Sequence, residues 1–89
     1  MLNSVTTKQF EKDVKRAFKR SKNLNKLHTA MQLLLEQQKL PATYVDHWLT
    51  GNYANRRECH IEPDWLLIYK PSRQEIIFER TGTHSDLFK

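Results

Sequence analysis

The chain has 89 residues, enough for one small domain, which we place at residues 1–89. An apolar share of 38%, with only two glycines and three prolines, argues against a disordered or low-complexity protein. The one cysteine excludes an intramolecular disulfide, and no apolar run is long enough for a signal peptide or a membrane span. We therefore expect a cytoplasmic protein.

Positive charge is concentrated near the N-terminus. The whole chain carries +5, whereas residues 8–26 hold eight lysines and arginines against two acids, which is a local charge of +6. A basic domain favours a polyanionic partner, usually a nucleic acid or an acidic protein. The plainer interpretation is a solvated helix face.

The N-terminal half predicts a strand followed by two helices. Residues 2–6 form a weak strand, and Thr6 with Gln9 resembles a capping box that begins a helix. Apolar residues then recur at helical spacing, with basic residues around the rest of the helix. Asn23 caps a second helix, which Pro41 ends. The two helices form a hairpin.

The C-terminal half predicts a loop at residues 46–52 and then three strands. The strands are separated by tight turns and cover residues 53–61, 65–69 and 75–81. Residues 83–89 form a tail. The order β-α-α-β-β-β is an α+β fold, a mostly antiparallel sheet with the helical hairpin on one face.

Alternation along the last predicted strand puts Phe78 and Arg80 on the same face. A buried phenylalanine and a solvated arginine do not share a face unless a bulge or a strong twist intervenes. The pattern leaves this point open.

Five polar side chains in the second half are candidate catalytic residues: His47, His60, Asp64, Arg80 and His84. The last hairpin returns Arg80 to the end of the sheet where His60 and Asp64 flank a corner. RNA supplies its own nucleophile, the 2′-OH, so a base, an acid and a cation for the phosphate are sufficient. Histidine titrates near neutrality, and arginine offers a planar fork for phosphate oxygens. The scheme needs no metal and no cofactor.

Aromatic side chains can hold splayed RNA bases, and Trp65 and Phe88 are the candidates for this contact. Each candidate also has a structural explanation. His47 can be a surface histidine, Asp64 a turn residue, Trp65 a core residue and Phe88 a plug on the core. Arg80 can simply form a surface ion pair with Glu58 or Glu79. Zinc-ligand types occur as well, but Cys59 and His60 are neighbours on a strand and point to opposite faces.

Three motifs resemble the YafQ branch of the RelE/ParE toxin superfamily. They lie at residues 46–51 (DHxLxG), 57–69 (RECHIxPDWLLIY) and 79–88 (ERTGTHSxLF). The helical half is similar in layout and basicity only. Three motifs in the family's order are a more specific signal than any one of them.

The resemblance implies a RelE-like fold and a type II toxin that cleaves mRNA in the ribosomal A site. The residues that match the family's active site are His47, His60, Asp64, Trp65, Arg80, His84 and Phe88. His84 is then expected as general acid and Asp64 or His60 as general base. Arg80 and His47 are expected to stabilise the phosphate, and Trp65 and Phe88 to position bases and the chain's tail.

The resemblance also implies partners. On the first helix, the residues expected to contact ribosomal RNA are Lys8, Lys12, Lys15, Arg16 and Lys19. A DinJ-like antitoxin is expected to wrap the basic face, and the complex to bind operator DNA only through the antitoxin.

Two other functions stay open. A gyrase inhibitor of the ParE kind has the same fold and no RNA cleavage, although that branch lacks the histidine set. An unrelated basic nucleic-acid-binding domain would use its histidines structurally. Neither function predicts that His84→Ala changes RNA integrity.

Overall fold

The structure, a computed structural model, describes residues 1–88. Within them the strands are β1 Asn3–Thr6, β2 His47–Trp48, β3 Arg57–Glu62, β4 Trp65–Pro71 and β5 Glu75–Gly82. The helices are α1 Lys8–Lys19, α2 Leu24–Leu35 and α3 His84–Leu87, with 3-10 turns at Ala42–Tyr44 and Gly51–Tyr53. The strands form one sheet in the order β1-β5-β4-β3-β2. β1 pairs with β5 in parallel, and the other neighbours pair antiparallel.

The predicted α+β fold is confirmed, with a mostly antiparallel sheet and the α1–α2 hairpin on one face. The structure adds two short elements, β2 and α3, where a loop and a tail were predicted. It also begins β3 at Arg57, four residues later than the pattern predicts. The reason is local, because Gly51–Tyr53 forms a 3-10 turn and Asn55 has φ 69, which no extended strand accommodates.

The cap of α1 is Thr7, and the prediction of Thr6 was wrong by one residue. The Thr7 hydroxyl accepts a hydrogen bond from the Phe10 backbone N–H at 2.9 Å. Thr6 is instead the last residue of β1, and its hydroxyl donates to the Glu11 carboxylate at 3.2 Å.

Helix α2 begins at the predicted cap, since the Asn23 side chain accepts from the Asn25 N–H. It ends at Leu35, earlier than the predicted stop at Pro41. Gln37 adopts φ 57, a left-handed conformation that terminates the helix before the proline is reached. Within residues 1–88, no helix has the length and apolar character needed to cross a membrane.

Strand β4 is buried on both sides, which explains its continuous apolar sequence. One side faces α1 and α2, where a large core joins residues of both helices to three strands: Phe10, Leu27, Cys59, Trp65, Leu67, Tyr69 and Phe78. On the other side a small cluster forms beneath α3: Leu66, Ile68 and Leu87, with Leu49 and Tyr53 packed against them.

A β-bulge settles the placement of Phe78 and Arg80. Tyr69 pairs with Phe78, but the preceding residue of β4, Ile68, pairs with Arg80, so Glu79 is an extra residue in β5. The two side chains therefore stand opposite neighbouring positions of β4, on different faces. Phe78 is fully buried in the helix-side core, whereas the Arg80 side chain is 23% exposed.

Candidate active site

The candidate histidines meet on the sheet face opposite the helical hairpin. Glu58 pairs with Ile68 and His60 with Leu66, so both side chains share the face of the small cluster beneath α3. Strand β2 extends this face, because His47 pairs with Glu58. The tight corner at residues 63–64 and helix α3 complete the site.

Glu58 links two of the three histidines. Its Oε2 lies 3.1 Å from His47 Nε2 and 3.5 Å from His60 Nε2, and the residue is only 6% exposed. His47 is held from its other side by the Val45 carbonyl oxygen, 2.7 Å from Nδ1. Both ring nitrogens of His47 thus face oxygen acceptors, and a neutral ring can donate to only one of them.

His84 and Asp64 form the second half of the site. Asp64 Oδ1 accepts from the His84 backbone N–H at 2.8 Å and lies 2.7 Å from Nδ1 of its ring. These backbone and side-chain hydrogen bonds lower the pKa of Asp64, so the carboxylate is charged at neutral pH. The contact fixes the ring through Nδ1, and Nε2 is left for a substrate. The ring centroid is 5.7 Å from that of His60.

Helix α3 is short, and other elements hold it in place. A capping box joins Thr83 and Asp86, with Asp86 Oδ2 accepting from the Thr83 N–H at 2.9 Å. Arg20 of α1 donates to the same carboxylate at 2.7 Å. The Arg20 hydrogen bond holds the pKa of Asp86 well below its usual range. The position of His84 therefore depends on a contact from α1.

Arg80 binds Asp13, a partner that the sequence did not suggest. Its Nε donates to Asp13 Oδ2 at 2.8 Å and its Nη2 lies 3.4 Å from Oδ1. This hydrogen bonding raises the pKa of the Arg80 guanidinium, although burial opposes the shift. The structural explanation that Arg80 pairs with Glu58 or Glu79 was wrong, since Glu79 binds Arg56 at 2.8 Å.

Trp65, which was predicted to stack on a base, lies in the core. It is 2% exposed and lies in the helix-side core, because the next residue, Leu66, faces the site and alternation turns Trp65 away. Its Nε1 donates to the Thr81 hydroxyl at 2.9 Å, which in turn donates to the Leu66 carbonyl at 2.7 Å. Trp65 thus supports β5 from the helix side, and its contact with a base stays a prediction.

Phe88 lies at the rim of the site and not in the core. It is 42% exposed and packs edge-on against Tyr53, with ring centroids 5.6 Å apart. Leu87 fills the plug position that was considered for Phe88. A base contact by Phe88 stays a prediction.

The basic face of α1 is smaller than predicted. Four of its side chains are exposed and available to a polyanion: Lys8, Lys12, Lys15 and Lys19. Arg16 is different, because its Nη2 lies 3.1 Å from Asp13 and 3.6 Å from Asp86. Arg16 therefore already has intramolecular partners, and its contact with RNA stays a prediction.

Sequence reasoning missed three residues of the site: Asp13, Tyr53 and Glu58. Glu58 precedes His60 by two positions on one strand, so alternation alone placed the two side chains on the same face. Asp13 had no such signal, because an acid on a basic helix is usually an exposed pairing partner.

The site contains no arrangement that suits a metal ion. Among residues 1–88, no group of three or more His, Cys, Asp or Glu side chains could hold one. Cys59 is buried on the helix side, away from His60 as alternation predicts, and burial raises the pKa of its thiol to about 12. Beside His60 lies an open cavity of about 570 Å³ with an apolar wall of Tyr44, Val45 and Ile61.

Comparison with known proteins gives consistent matches over the whole chain. Residues 2–89 match a family model described as the bacterial toxin of type II toxin–antitoxin system, YafQ. The chain is 52% identical over 81 residues to the mRNA interferase toxin YafQ of Escherichia coli K12, covering 90% of this chain and 88% of that protein.

Solved structures are similar over the same extent. The crystal structure of YafQ from E. coli BL21(DE3) has a TM-score of 0.95 at 46% identity and covers 100% of both chains. YafQ in the E. coli DinJ-YafQ toxin-antitoxin complex has a TM-score of 0.92 at 47% identity, covering 99% of this chain and 98% of that one.

Proposed function

The chain belongs to the YafQ family of toxins of bacterial type II toxin–antitoxin systems, and we propose that it inhibits translation by cutting mRNA on the ribosome. It is an mRNA interferase, an endoribonuclease, like the relative that is 52% identical to it. This membership sets aside the gyrase-inhibitor and plain binding alternatives. Dependence on the ribosome, the cleavage mechanism and the residue roles are the proposal.

The observation that carries the mechanism is the pairing of His60 and His84, whose ring centroids are 5.7 Å apart on an open face. Two imidazoles at this separation suit a base on one side of a phosphodiester and an acid on the other. The base removes the 2′-OH proton, and O2′ attacks the phosphorus. The bond from phosphorus to O5′ breaks, and the acid protonates O5′. The products are a 2′,3′-cyclic phosphate and a 5′-OH end.

We assign the acid to His84 and the base to His60. Asp64 was the other candidate for the base, but its Oδ1 is occupied by two N–H groups of His84. A carboxylate in that position orients the ring and stabilises the imidazolium before it gives up its proton. Glu58 Oε2 lies 3.5 Å from His60 Nε2, where its negative charge stabilises that ring once it has accepted a proton. Asp64 and Glu58 are therefore positioning residues in this scheme.

Arg80 and His47 are assigned to the phosphate. The Arg80 guanidinium retains N–H groups that Asp13 does not use, and arginine forks match phosphate oxygens. His47 borders His60 through the shared Glu58 carboxylate. Charge stabilisation of this kind contributes about 10²–10³-fold to a rate.

Substrate orientation is assigned to the ribosome. The acid and the orienting carboxylate are both largely exposed, with 53% and 65% of the His84 and Asp64 side chains open to solvent. A site this exposed binds a flexible RNA weakly by itself. Correct orientation of the reacting groups lowers the barrier of such reactions by several kcal/mol. Exposed lysines of α1 would bind ribosomal RNA through its backbone, and Phe88 with the cavity beside His60 would contact the flanking bases.

A DinJ-like antitoxin is the cognate partner, since a YafQ of 47% identity is held by DinJ in a toxin-antitoxin complex. The positive α1 surface suits an acidic segment of that antitoxin. We propose that operator DNA is bound only through the antitoxin.

Cleavage of mRNA on programmed 70S ribosomes, with chelator present, tests the proposal. Wild type should leave 2′,3′-cyclic phosphate ends, and folded His84→Ala should be slower by about 10²–10⁴-fold. His28→Ala is the matched control, because His28 is an exposed histidine on α2 and should not matter. Wild type that cuts ribosome-free RNA equally well, or only without chelator, contradicts the proposal. So does His84→Ala that cuts at the wild-type rate.

A further inference from the structure

Asp13 is an acidic residue that is buried within a helix rich in lysine and arginine. It is 1% exposed, and both of its carboxylate oxygens are fully engaged. Oδ1 accepts from Gln9 and Arg16 at 3.1 Å each and lies 3.4 Å from Arg80 Nη2, while Oδ2 accepts from Arg80 Nε at 2.8 Å and Thr81 N–H at 3.1 Å. A buried carboxylate is costly unless it is paired in this way.

The Asp13 contact uses one edge of the Arg80 guanidinium. The bonds run from Nε and Nη2, which is the side-on arrangement. Both hydrogens of Nη1 and the second hydrogen of Nη2 are not needed for it. These remaining N–H groups form the end-on fork, which matches two oxygens of a phosphate. Asp13 can therefore hold Arg80 without competing with the substrate for the same edge.

The same carboxylate also fixes the backbone that carries Arg80. Asp13 accepts from the N–H of Thr81, which follows the bulge at Glu79. From the other direction, Trp65 Nε1 donates to the Thr81 hydroxyl at 2.9 Å. The strand is thus held on both sides at the position next to Arg80. A bulge is a point where backbone direction changes, so a fixed neighbour decides where the arginine points.

We propose that Asp13 is a positioning residue that presents the end-on edge of Arg80 to the scissile phosphate. The inference rests on the proposed role of Arg80 in RNA cleavage. An arginine on an open face loses much rotamer freedom when it meets a phosphate, and Asp13 removes that cost before the substrate arrives. Without Asp13, the positive charge of Arg80 stays in the site, but its guanidinium is no longer held in position.

A double-mutant cycle separates this role from a purely structural one. Single-turnover cleavage on programmed ribosomes is measured for wild type, Asp13→Asn, Arg80→Ala and the double variant. The toxin concentration is varied, and melting temperatures are recorded to check that each variant folds. Asp13→Asn should lower the saturating rate by about 10–100-fold with little change in the half-saturating toxin concentration. In the Arg80→Ala background it should change the rate less than about twofold, since the residue through which it acts is gone.

Glu36→Gln is the matched control, because the Glu36 carboxylate also accepts a side-chain hydrogen bond, from Gln32 at 3.0 Å, and lies at the end of α2, outside the catalytic set. It should cleave at the wild-type rate. The proposal is overturned if Asp13→Asn cleaves as wild type does, or if its loss is equally large in the Arg80→Ala background.

Arg80→Lys keeps the test decisive if Asp13→Asn does not fold. A lysine can pair with Asp13 but has no second edge, so it should be nearly as slow as Arg80→Ala. Substantial cleavage by Arg80→Lys overturns the proposal. Inactive wild type would instead overturn the proposed function and this inference with it, whereas active wild type with an Asp13-independent Arg80 effect overturns the inference alone.

Discussion

Glu58 contacts two histidines of the site through one carboxylate oxygen. Its contacts to His47 and His60 are 3.1 and 3.5 Å long, and the side chain is almost entirely buried. A buried anion with two imidazole partners orients both rings and stabilises whichever of them is protonated.

Glu58→Gln keeps the shape of this side chain and removes its charge. We expect cleavage on ribosomes to fall by about 10–100-fold, since both rings lose the group that orients them. The unfolding free energy, measured by denaturant titration, should change by much less than the activation free energy that corresponds to the lost rate. Glu75→Gln is a suitable control, because Glu75 lies at the far end of β5. A Glu58→Gln protein of wild-type activity would show that the histidines need no anion.

Position 82 requires glycine because a larger side chain has no room there, and not because the backbone adopts an unusual conformation. A Cβ at this position would lie 2.9 Å from Asp86 Oδ2 and 3.0 Å from both Arg16 Nη2 and Asp86 Cβ. Gly82→Ala should therefore push α3 away from β5 and lower the unfolding free energy by about 1–3 kcal/mol. Thermal unfolding checks the stability, and cleavage should decline too because α3 carries His84. Ser85→Ala, an exposed change on the same helix, should leave the melting temperature unaltered.

Individual residues show how far sequence reasoning reaches. The histidines, Asp64 and Arg80 could be named because their side chains suit the acid, base and phosphate contacts that RNA cleavage needs. Trp65 was predicted to contact a base, but its alternation with Leu66 along β4 places its side chain in the helix-side core. The Asp13–Arg80 pair could not be predicted, since it joins positions 67 residues apart and depends on a bulge that the alternation of Phe78 and Arg80 left open.

At the scale of elements, α3 is a single turn whose stability comes from charges at its start. Asp86 caps it and binds Arg20, and this contact lowers the pKa of Asp86 relative to its unfolded value of 3.8. A carboxylate with a depressed folded pKa stabilises the protein fully above the unfolded pKa. The stabilisation is lost as the pH falls from there through the folded value.

Asp86→Asn should consequently be less stable than wild type at pH 7, and the difference should shrink as the pH drops below about 4. Denaturant unfolding at a series of pH values measures this difference. Arg20→Gln should reproduce much of the effect, since it removes the main partner of the carboxylate. A stability difference that stays constant down to pH 2 would mean that the ion pair does not form in solution.

Helix α1 divides its charges between two tasks. Four exposed lysines face outward, and replacing them by glutamine should weaken association with 70S ribosomes: Lys8, Lys12, Lys15 and Lys19. It should also reduce the dependence of that association on salt, because fewer counterions are released from the RNA. Ribosome binding at several salt concentrations measures both effects. The control is the double variant Lys39→Gln with Lys70→Gln, which replaces exposed lysines outside α1. An equal loss of ribosome affinity in that variant would argue for a non-specific charge effect.

Long elements were predicted well and short ones poorly. The α1–α2 hairpin and strands β4 and β5 have enough residues for a periodic pattern to emerge. Strand β2 has two residues and α3 has four, which is too few for any period. The end of α2 was misplaced because Gln37 takes a left-handed conformation that glutamine rarely adopts.

For the molecule as a whole, the element order was sufficient to predict the α+β class and which face the helices cover. The element order did not predict that β1 pairs with β5 in parallel, since a weak four-residue strand contains no information about its neighbour. Family resemblance added the location of the active face. Its chemistry then came from the contacts among Glu58, Asp64 and the three histidines.

The interior position of β5 in the sheet has a consequence for folding kinetics. β5 lies between β1 and β4, and Asn3 pairs with Glu75 across almost the full length of the chain. Contacts so distant in sequence form late and slow the folding of small domains. Arg80 and His84 reach their places only when β5 has entered the sheet. Toxicity should therefore appear together with the global fold, and a partly folded chain should be harmless to the cell that makes it.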